Sequence, residues 1–385
     1  MGGNHKPMTT GQATLRTFIV DMRKPVLGLL GMAALSGCMN PRAREPAIDP
    51  DAARAEIARR LPSGVTPRDA WAVDIFAAFE ALEIPPTAEN ICAVVGVTQQ
   101  ESTFQASPAV PGLAKIVRQE IDDRAKRIGI PKLVVGTALK LRSANGKTYG
   151  ERIDKATTEK ELSEVFEEFI DMVPLGSKLF ADWNPIRTGG PMQVSIAFAE
   201  SHAKEQRYPY PVNDGIRREV FTRRGGMYFG IAHLLDYEAT YDQMLFRFAD
   251  FNAGHYASRN AGFQNALSIA ANTKLALDGD LLRYGSSEPS NTELAARKVA
   301  AQIELSDADI RRDLELEKEA EFERTKVYKR VFSLAEKTGK RSLPKAVVPN
   351  IRLQSPKITR KLTTEWFARR VDERYRQCLK RGSAK

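Results

Sequence analysis

Apolar residues recur at helical spacing along most of the chain. In residues 68–82, Trp71, Ile75, Phe79 and Leu82 form one stripe of a helix. The segment 343–357 differs, because its three prolines and its Val347-Val348 pair predict extended backbone. The overall pattern predicts a mainly α-helical protein.

One predicted helix carries a carboxylic acid at its end. The apolar run 91–97 leads into Gln99-Gln100-Glu101-Ser102-Thr103-Phe104, and Thr87 is a suitable N-cap residue. On a helix that begins there, Glu101 continues the apolar stripe. Burial raises the pKa of a carboxyl because it disfavours the charged form. We therefore expect Glu101 at the end of a buried helix face, where it could act as a general acid.

Two later segments place side-chain amides at helix ends. Gly189-Gly190-Pro191 permits a sharp turn, after which Met192 and Gln193 would begin a helix. A helical run over 227–250 leads into Phe251-Asn252-Ala253-Gly254, in which Gly254 fits a helix C-cap. Amides suit the hydroxyls and amides of a sugar. An ordinary helix start and an ordinary glycine-terminated helix explain the same residues.

The remaining helical patterns are highly charged. The amphipathic segments from about 112 to 180 predict a helical insertion. The pattern over 290–385 predicts a charged helical extension. The whole chain of 385 residues has a formal net charge of +10. A basic surface suits nucleic acid, anionic lipid or an acidic polymer, and composition does not choose among them.

The amino terminus indicates the compartment. Arg23-Lys24, an apolar segment over 26–35 and Leu35-Ser36-Gly37-Cys38 form the three parts of a secretory signal. The last four residues resemble the lipobox of bacterial lipoproteins. This resemblance implies a signal peptide over 1–37, lipidation of Cys38 and a tether over 38–60. The same resemblance implies sorting to the outer membrane of the cell envelope, because Met39 and not Asp follows Cys38.

The predicted location limits which partners the protein is expected to meet. A basic, lipid-anchored envelope protein is expected to meet membrane lipid and peptidoglycan and no nucleic acid. No cofactor or metal is predicted, because His5, His202, His233 and His255 are too scattered for ligand spacing. With Cys38 lipidated, Cys92 and Cys378 could form a disulfide or remain two separate buried thiols.

The three motifs together resemble those of the bacterial lytic transglycosylases of the goose-lysozyme-like superfamily. Glu101-Ser102-Thr103-Phe104 matches their Glu-Ser-x-Phe/Tyr motif. Gly190-Pro191-Met192-Gln193 is similar to Gly-Leu-Met-Gln, and Phe251-Asn252-Ala253-Gly254 to the end of Ala-Tyr-Asn-Ala-Gly. The resemblance covers about residues 70–275 and implies a lysozyme-like α-helical domain over 61–285. The chain also resembles a family of outer-membrane lipoproteins that contain such a domain.

The resemblance implies cleavage of peptidoglycan with Glu101 as the catalytic acid. The implied substrate-binding residues are Ser102, which would orient Glu101, Gln193 and Asn252, which would hold the sugar, and Met192 and Phe251, which would line the groove. The family has Leu where this chain has Pro191, and Ala-Tyr where it has Asp250-Phe251. Tyr256 is the candidate for the missing hydroxyl.

These departures keep two alternatives open. The first is a degenerate domain that binds peptidoglycan or a peptide without cleaving it. The second is an envelope scaffold or uptake accessory that binds a protein partner through the insertion and the extension.

Overall fold

The computed structural model describes residues 49–172, 183–353 and 360–383. These ranges are mainly helical, which confirms the predicted fold class. The signal peptide, Cys38 and residues 173–182 lie outside them. The helices are α1 (Pro50–Arg60), α2 (Arg68–Ala81), α3 (Ala88–Glu101), α4 (Leu113–Arg127), α5 (Lys132–Leu139), α6 (Tyr149–Lys155), α7 (Glu159–Asp171), α8 (Ile196–Glu205), α9 (Ile216–Val220), α10 (Arg223–Leu235), α11 (Met244–Ala253), α12 (Ala257–Ala270), α13 (Asn291–Lys298), α14 (Asp307–Leu314), α15 (Lys326–Gly339) and α16 (Thr364–Ser383).

A first hydrophobic core surrounds α10. Nine residues of this helix are buried, and it packs against α2, α3, α8 and α11. The core also takes in α1, in which Ile57 is fully buried and Asp49 caps the amino end. The predicted tether over 38–60 is therefore too long, since the folded part begins at about residue 50.

The helix α3 is enclosed on all sides. Thr87 caps it, as predicted, and the residues from Ile91 to Thr98 are all buried. The last helix, α16, lies against it so closely that a Cβ at Gly96 would be 3.2 Å from the Val371 carbonyl oxygen. A disulfide joins Cys92 to Cys378 across this contact, with a Cα–Cα distance of 5.4 Å.

The predicted extension over 290–385 does not form one unit. Its final helix belongs to the first core, because Val371 and Cys378 are buried there. The earlier part forms a second core with α12, in which the rings of Phe263, Phe322 and Tyr328 pack together. The helix predicted over 227–250 is likewise two helices, α10 and α11.

Helices α4 to α7 occupy the segment predicted as an insertion, and we call them the α4–α7 lobe. Ion pairs cross it, from Arg118 to Asp154 and from Arg152 to Glu168. The short α5 has no buried residue although most of its residues are apolar. Within the described ranges, no helix has both the length and the apolar character that crossing a membrane requires.

Candidate functional site

Glu101 is the last residue of α3, and its side chain is partly exposed. Ser102 follows as the C-cap residue. Its hydroxyl donates to the Thr98 carbonyl oxygen at 3.2 Å and accepts from the Gln105 amide at 3.3 Å. These two bonds hold the turn that follows Glu101. The role predicted for Ser102, to orient the Glu101 carboxyl, stays a prediction.

The backbone after Glu101 is strained. Thr103 and Phe104 have φ values of 54° and 61°, in the left-handed region that a β-branched residue rarely adopts. The Phe104 ring is held edge-on against Trp71, with centroids 5.2 Å apart. Buried aromatic packing therefore fixes the turn that presents Glu101.

The second motif is a hairpin turn and not a helix start. Strands β1 (Thr188–Gly189) and β2 (Val194–Ser195) pair antiparallel, and α8 begins only at Ile196. Gln193 has a φ of 50°, which a helix does not allow, and its side-chain nitrogen donates to the Gly190 carbonyl oxygen at 3.2 Å. The Gln193 amide therefore helps to close its own turn.

This hairpin lies directly on the backbone of α10. A Cβ at Gly226 would be 2.3 Å from Cδ of Pro191, and one at Gly230 would be 2.5 Å from Sδ of Met192. Met192 is fully buried in this contact, so the prediction that it lines an open groove is wrong. The sequence signal for the contact is the glycine pair four residues apart on one face of α10.

Asp250 organises the third motif. Its buried carboxylate accepts from the hydroxyls of Tyr237 and Tyr241 at 3.2 and 2.6 Å, and from the amides of Tyr256 and Ser258 at 3.1 and 2.7 Å. Burial raises the pKa of Asp250, and these donors oppose that rise. Tyr256 as a whole residue is only 5% exposed, and the role predicted for its hydroxyl stays a prediction.

Phe251 and Asn252 are partly exposed at the end of α11. The Phe251 carbonyl oxygen lies 3.3 Å from Nε2 of His233, and Oδ1 of Asn252 accepts from Thr364 at 2.9 Å. A cavity of about 430 Å³ adjoins them, lined by Gly254, His233, His255, Tyr284 and Lys318 among others. The third motif therefore borders a polar cleft.

Three histidines that are far apart in sequence meet around Phe198. The centroids of the His202, His233 and His255 rings lie 5.6, 4.7 and 5.9 Å from that of Phe198. Burial lowers the pKa of all three, that of His233 to about 3. In the part of the chain that the structure describes, no His, Cys, Asp or Glu group could hold a metal ion. The cluster is an aromatic packing element that local spacing did not reveal.

The second and third motifs, and the helix that carries the first, contact successive turns of α10. Oγ1 of Thr98, one turn before Glu101, lies 3.9 Å from Sδ of Met227. Met192 packs on Gly230, and Nε2 of His233 hydrogen-bonds the Phe251 carbonyl oxygen. These three α10 residues span about 9 Å along the helix axis. The hydrophobic core thus brings together segments separated by about 150 residues in the sequence.

Residues 64–381 match the family described as "Protein of unknown function (DUF1615)". The chain belongs to this DUF1615 family. The match begins just after α1 and runs across both cores to α16.

A relative in Escherichia coli (strain K12), described as "Uncharacterized protein YaiW", is 55% identical over 360 residues. The alignment covers 92% of this chain and 97% of the relative. No solved structure matches the chain.

Proposed function

We propose that the protein is a lipid-anchored envelope enzyme that cleaves peptidoglycan glycan strands without water, with Glu101 as its acid and base. The observation that carries the proposal is the arrangement of the three motifs along α10. The backbone gives further support: of the eight non-glycine residues with positive φ in the described ranges, four belong to or adjoin these motifs. Such strain persists where the surrounding structure holds a functional geometry.

The proposed reaction needs one carboxyl group. Glu101 donates its proton to the glycosidic oxygen between N-acetylmuramic acid and N-acetylglucosamine, and the bond from that oxygen to C1 breaks. The 6-hydroxyl oxygen of the muramic residue bonds to C1, and its proton passes to the Glu101 carboxylate. The products are a 1,6-anhydro end and a free sugar hydroxyl, and Glu101 regains its proton. Most glycosidases instead use two carboxylates.

The obvious second carboxylate has a structural role. Asp250 is fully buried, and both of its oxygens accept hydrogen bonds from neighbouring residues. It therefore cannot activate a water molecule on the sugar. This supports intramolecular attack by the substrate's own hydroxyl over hydrolysis with Asp250 as base.

The cleavage test is a digest of purified sacculi by the full-length protein, with products identified by mass spectrometry. We expect anhydromuropeptides from the wild type and a loss of 10²-fold or more in Glu101→Gln, as removal of a general acid does. Glu80→Gln, at an exposed position near the end of α2, is the matched control and should retain activity. Equal release by wild type and Glu101→Gln would refute the enzymatic proposal.

A second candidate is peptidoglycan binding without cleavage. The amides of Gln193 and Asn252 already have internal partners in Gly190 and Thr364, so they are less available to position a sugar for cleavage, and this favours binding over cleavage. Under this reading, Glu101→Gln sediments with sacculi as well as the wild type does, and neither releases sugar products.

The anchoring part of the proposal concerns Cys38. We expect the wild type to fractionate with outer membranes and to incorporate labelled palmitate, and Cys38→Ala to do neither. Retention of the label in Cys38→Ala would contradict lipidation at this residue.

A further inference from the structure

The α4–α7 lobe encloses an apolar cavity that the proposed enzyme does not use. Its volume is about 320 Å³, within the range of small-ligand sites. It is lined by Ile121, Val134, Ala138, Tyr149, Phe166 and Ile170, among others. Arg124 is the one charged side chain among the fifteen described residues of the lining. Such a surface favours hydrocarbon over water.

The rim of this cavity is apolar and open to solvent. Leu133 and Val134 of α5 are 82% and 54% exposed, and Ile128 and Leu141 are also exposed. Because α5 has no buried residue, its apolar side chains contribute little to the core. Val134 is both exposed and part of the lining, so apolar surface reaches solvent beside the cavity.

The segment that contains α5 and the end of α4 is rich in cations, three of which pair with Glu120 or Asp122. Residues 124–150 contain seven Lys and Arg residues and no Asp or Glu. Lys126, Lys140 and Lys147 make no ion pair within the described ranges. Cations that surround exposed apolar residues are typical of surfaces that bind anionic lipid.

We propose that the α4–α7 lobe binds an anionic membrane phospholipid. One acyl chain occupies the cavity, and the phosphate headgroup lies among the cations of α4 and α5. Arg124 is not assigned to the headgroup, because it pairs with Glu120 and donates to the Trp183 carbonyl oxygen at 3.2 Å. Lys126 and Lys140 are the assigned headgroup contacts.

The binding test uses Trp183, which lines the cavity, as its reporter. Lysophosphatidylglycerol with a brominated acyl chain is titrated into the full-length protein below its micelle concentration. We expect saturable quenching that Trp183→Phe abolishes, since Trp71 is buried in the first core and Trp366 of α16 packs against that same core. Undiminished quenching in Trp183→Phe would overturn the assignment to this cavity.

Matched variants test the contributions of the acyl chain and of the headgroup separately. Ala138→Phe fills the cavity and should weaken binding at least tenfold, whereas Ala144→Phe, exposed on the same lobe, should not. Lys126→Gln with Lys140→Gln should weaken the anionic probe about tenfold and leave brominated lysophosphatidylcholine unchanged. Thermal unfolding of each variant verifies its fold. Unchanged affinity in Ala138→Phe, or equal affinity for both headgroups, would overturn the proposal.

The protein's own lipid is the main competing occupant. If the chain is lipidated at Cys38, the titration is repeated with Cys38→Ala. Equal binding by both forms supports a membrane phospholipid. Binding by Cys38→Ala alone would show that the cavity holds the protein's own acyl chain, and would refute the proposal.

Discussion

The surroundings of α10 and the α4–α7 lobe use apolar residues in opposite ways. Around α10, backbones approach so closely that Gly226 and Gly230 leave no space for a Cβ. In the lobe, Gly136 of α5 has no heavy atom within 4 Å of an added Cβ, and an apolar cavity remains. The first region uses its packing to hold three backbone turns in place. The second leaves apolar side chains exposed beside a cavity.

The largest predicted change in the free energy of unfolding comes from removing the disulfide in the first core. Cys92 and Cys378 join α3 to α16 across 286 residues, wholly within the first core. Replacing both by Ala should lower the free energy of unfolding by about 4 kcal/mol, because the unfolded chain regains freedom. Denaturant unfolding measures this, with Cys38→Ala as the control that keeps the bridge. An unchanged midpoint would show that the bridge contributes nothing.

Gly226→Ala tests the close approach itself. Its Cβ would be 2.3 Å from the Pro191 ring and 2.7 Å from the Val220 carbonyl oxygen, neither of which can rotate away. We expect a loss of about 3 kcal/mol in unfolding free energy. The matched change Gly136→Ala, in the open helix α5, should instead stabilise by up to about 1 kcal/mol. The same sign for both variants would remove the contrast between the regions.

Asp250→Asn tests the polar centre of the third motif. Asparagine keeps the shape but cannot accept four hydrogen bonds, so buried donors lose their partner. We expect the free energy of unfolding to fall by about 2 kcal/mol, as measured by thermal or denaturant unfolding. Asp242→Asn, which is exposed on the preceding loop, is the control and should change little. If the two variants unfold alike, Asp250 does not organise the motif.

The last of these effects concerns pH. The pKa of His233 is about 3 in the folded protein and about 6.5 when unfolded, so the unfolded chain takes up the proton first. The contribution of His233 is complete above pH 6.5 and is lost as the pH falls toward 3. About 2 kcal/mol should be lost between pH 7 and pH 5.

Comparison with His233→Gln isolates this contribution. Glutamine can still donate to the Phe251 carbonyl oxygen and does not titrate, so the loss between pH 7 and pH 5 should shrink. The comparison is needed because burial raises the pKa of Asp250. That contribution has the opposite sense, since it is lost as the pH rises. An equal acid sensitivity in both proteins would show that His233 is not responsible.

The sequence predicted what depends on neighbours along the chain. The helix after Thr87, its cap and the end at Glu101 follow from local propensity and periodicity. The prediction that a helix begins at Met192 and Gln193 was wrong, because the turn that packs on α10 holds Gln193 at positive φ. The histidine cluster had no local signal, because its members come from three separate elements. Gly226 and Gly230 were the visible clue that another backbone would lie on α10.

The central claim is that Glu101 alone catalyses cleavage with the sugar's own hydroxyl as nucleophile. The most direct measurement is a sacculus digest in water enriched in heavy oxygen, followed by mass spectrometry of the new glycan ends. The account predicts anhydro ends without the heavy isotope, formed by the wild type and not by Glu101→Gln. Ends that carry the isotope, or unlabelled ends that form equally without Glu101, would contradict it.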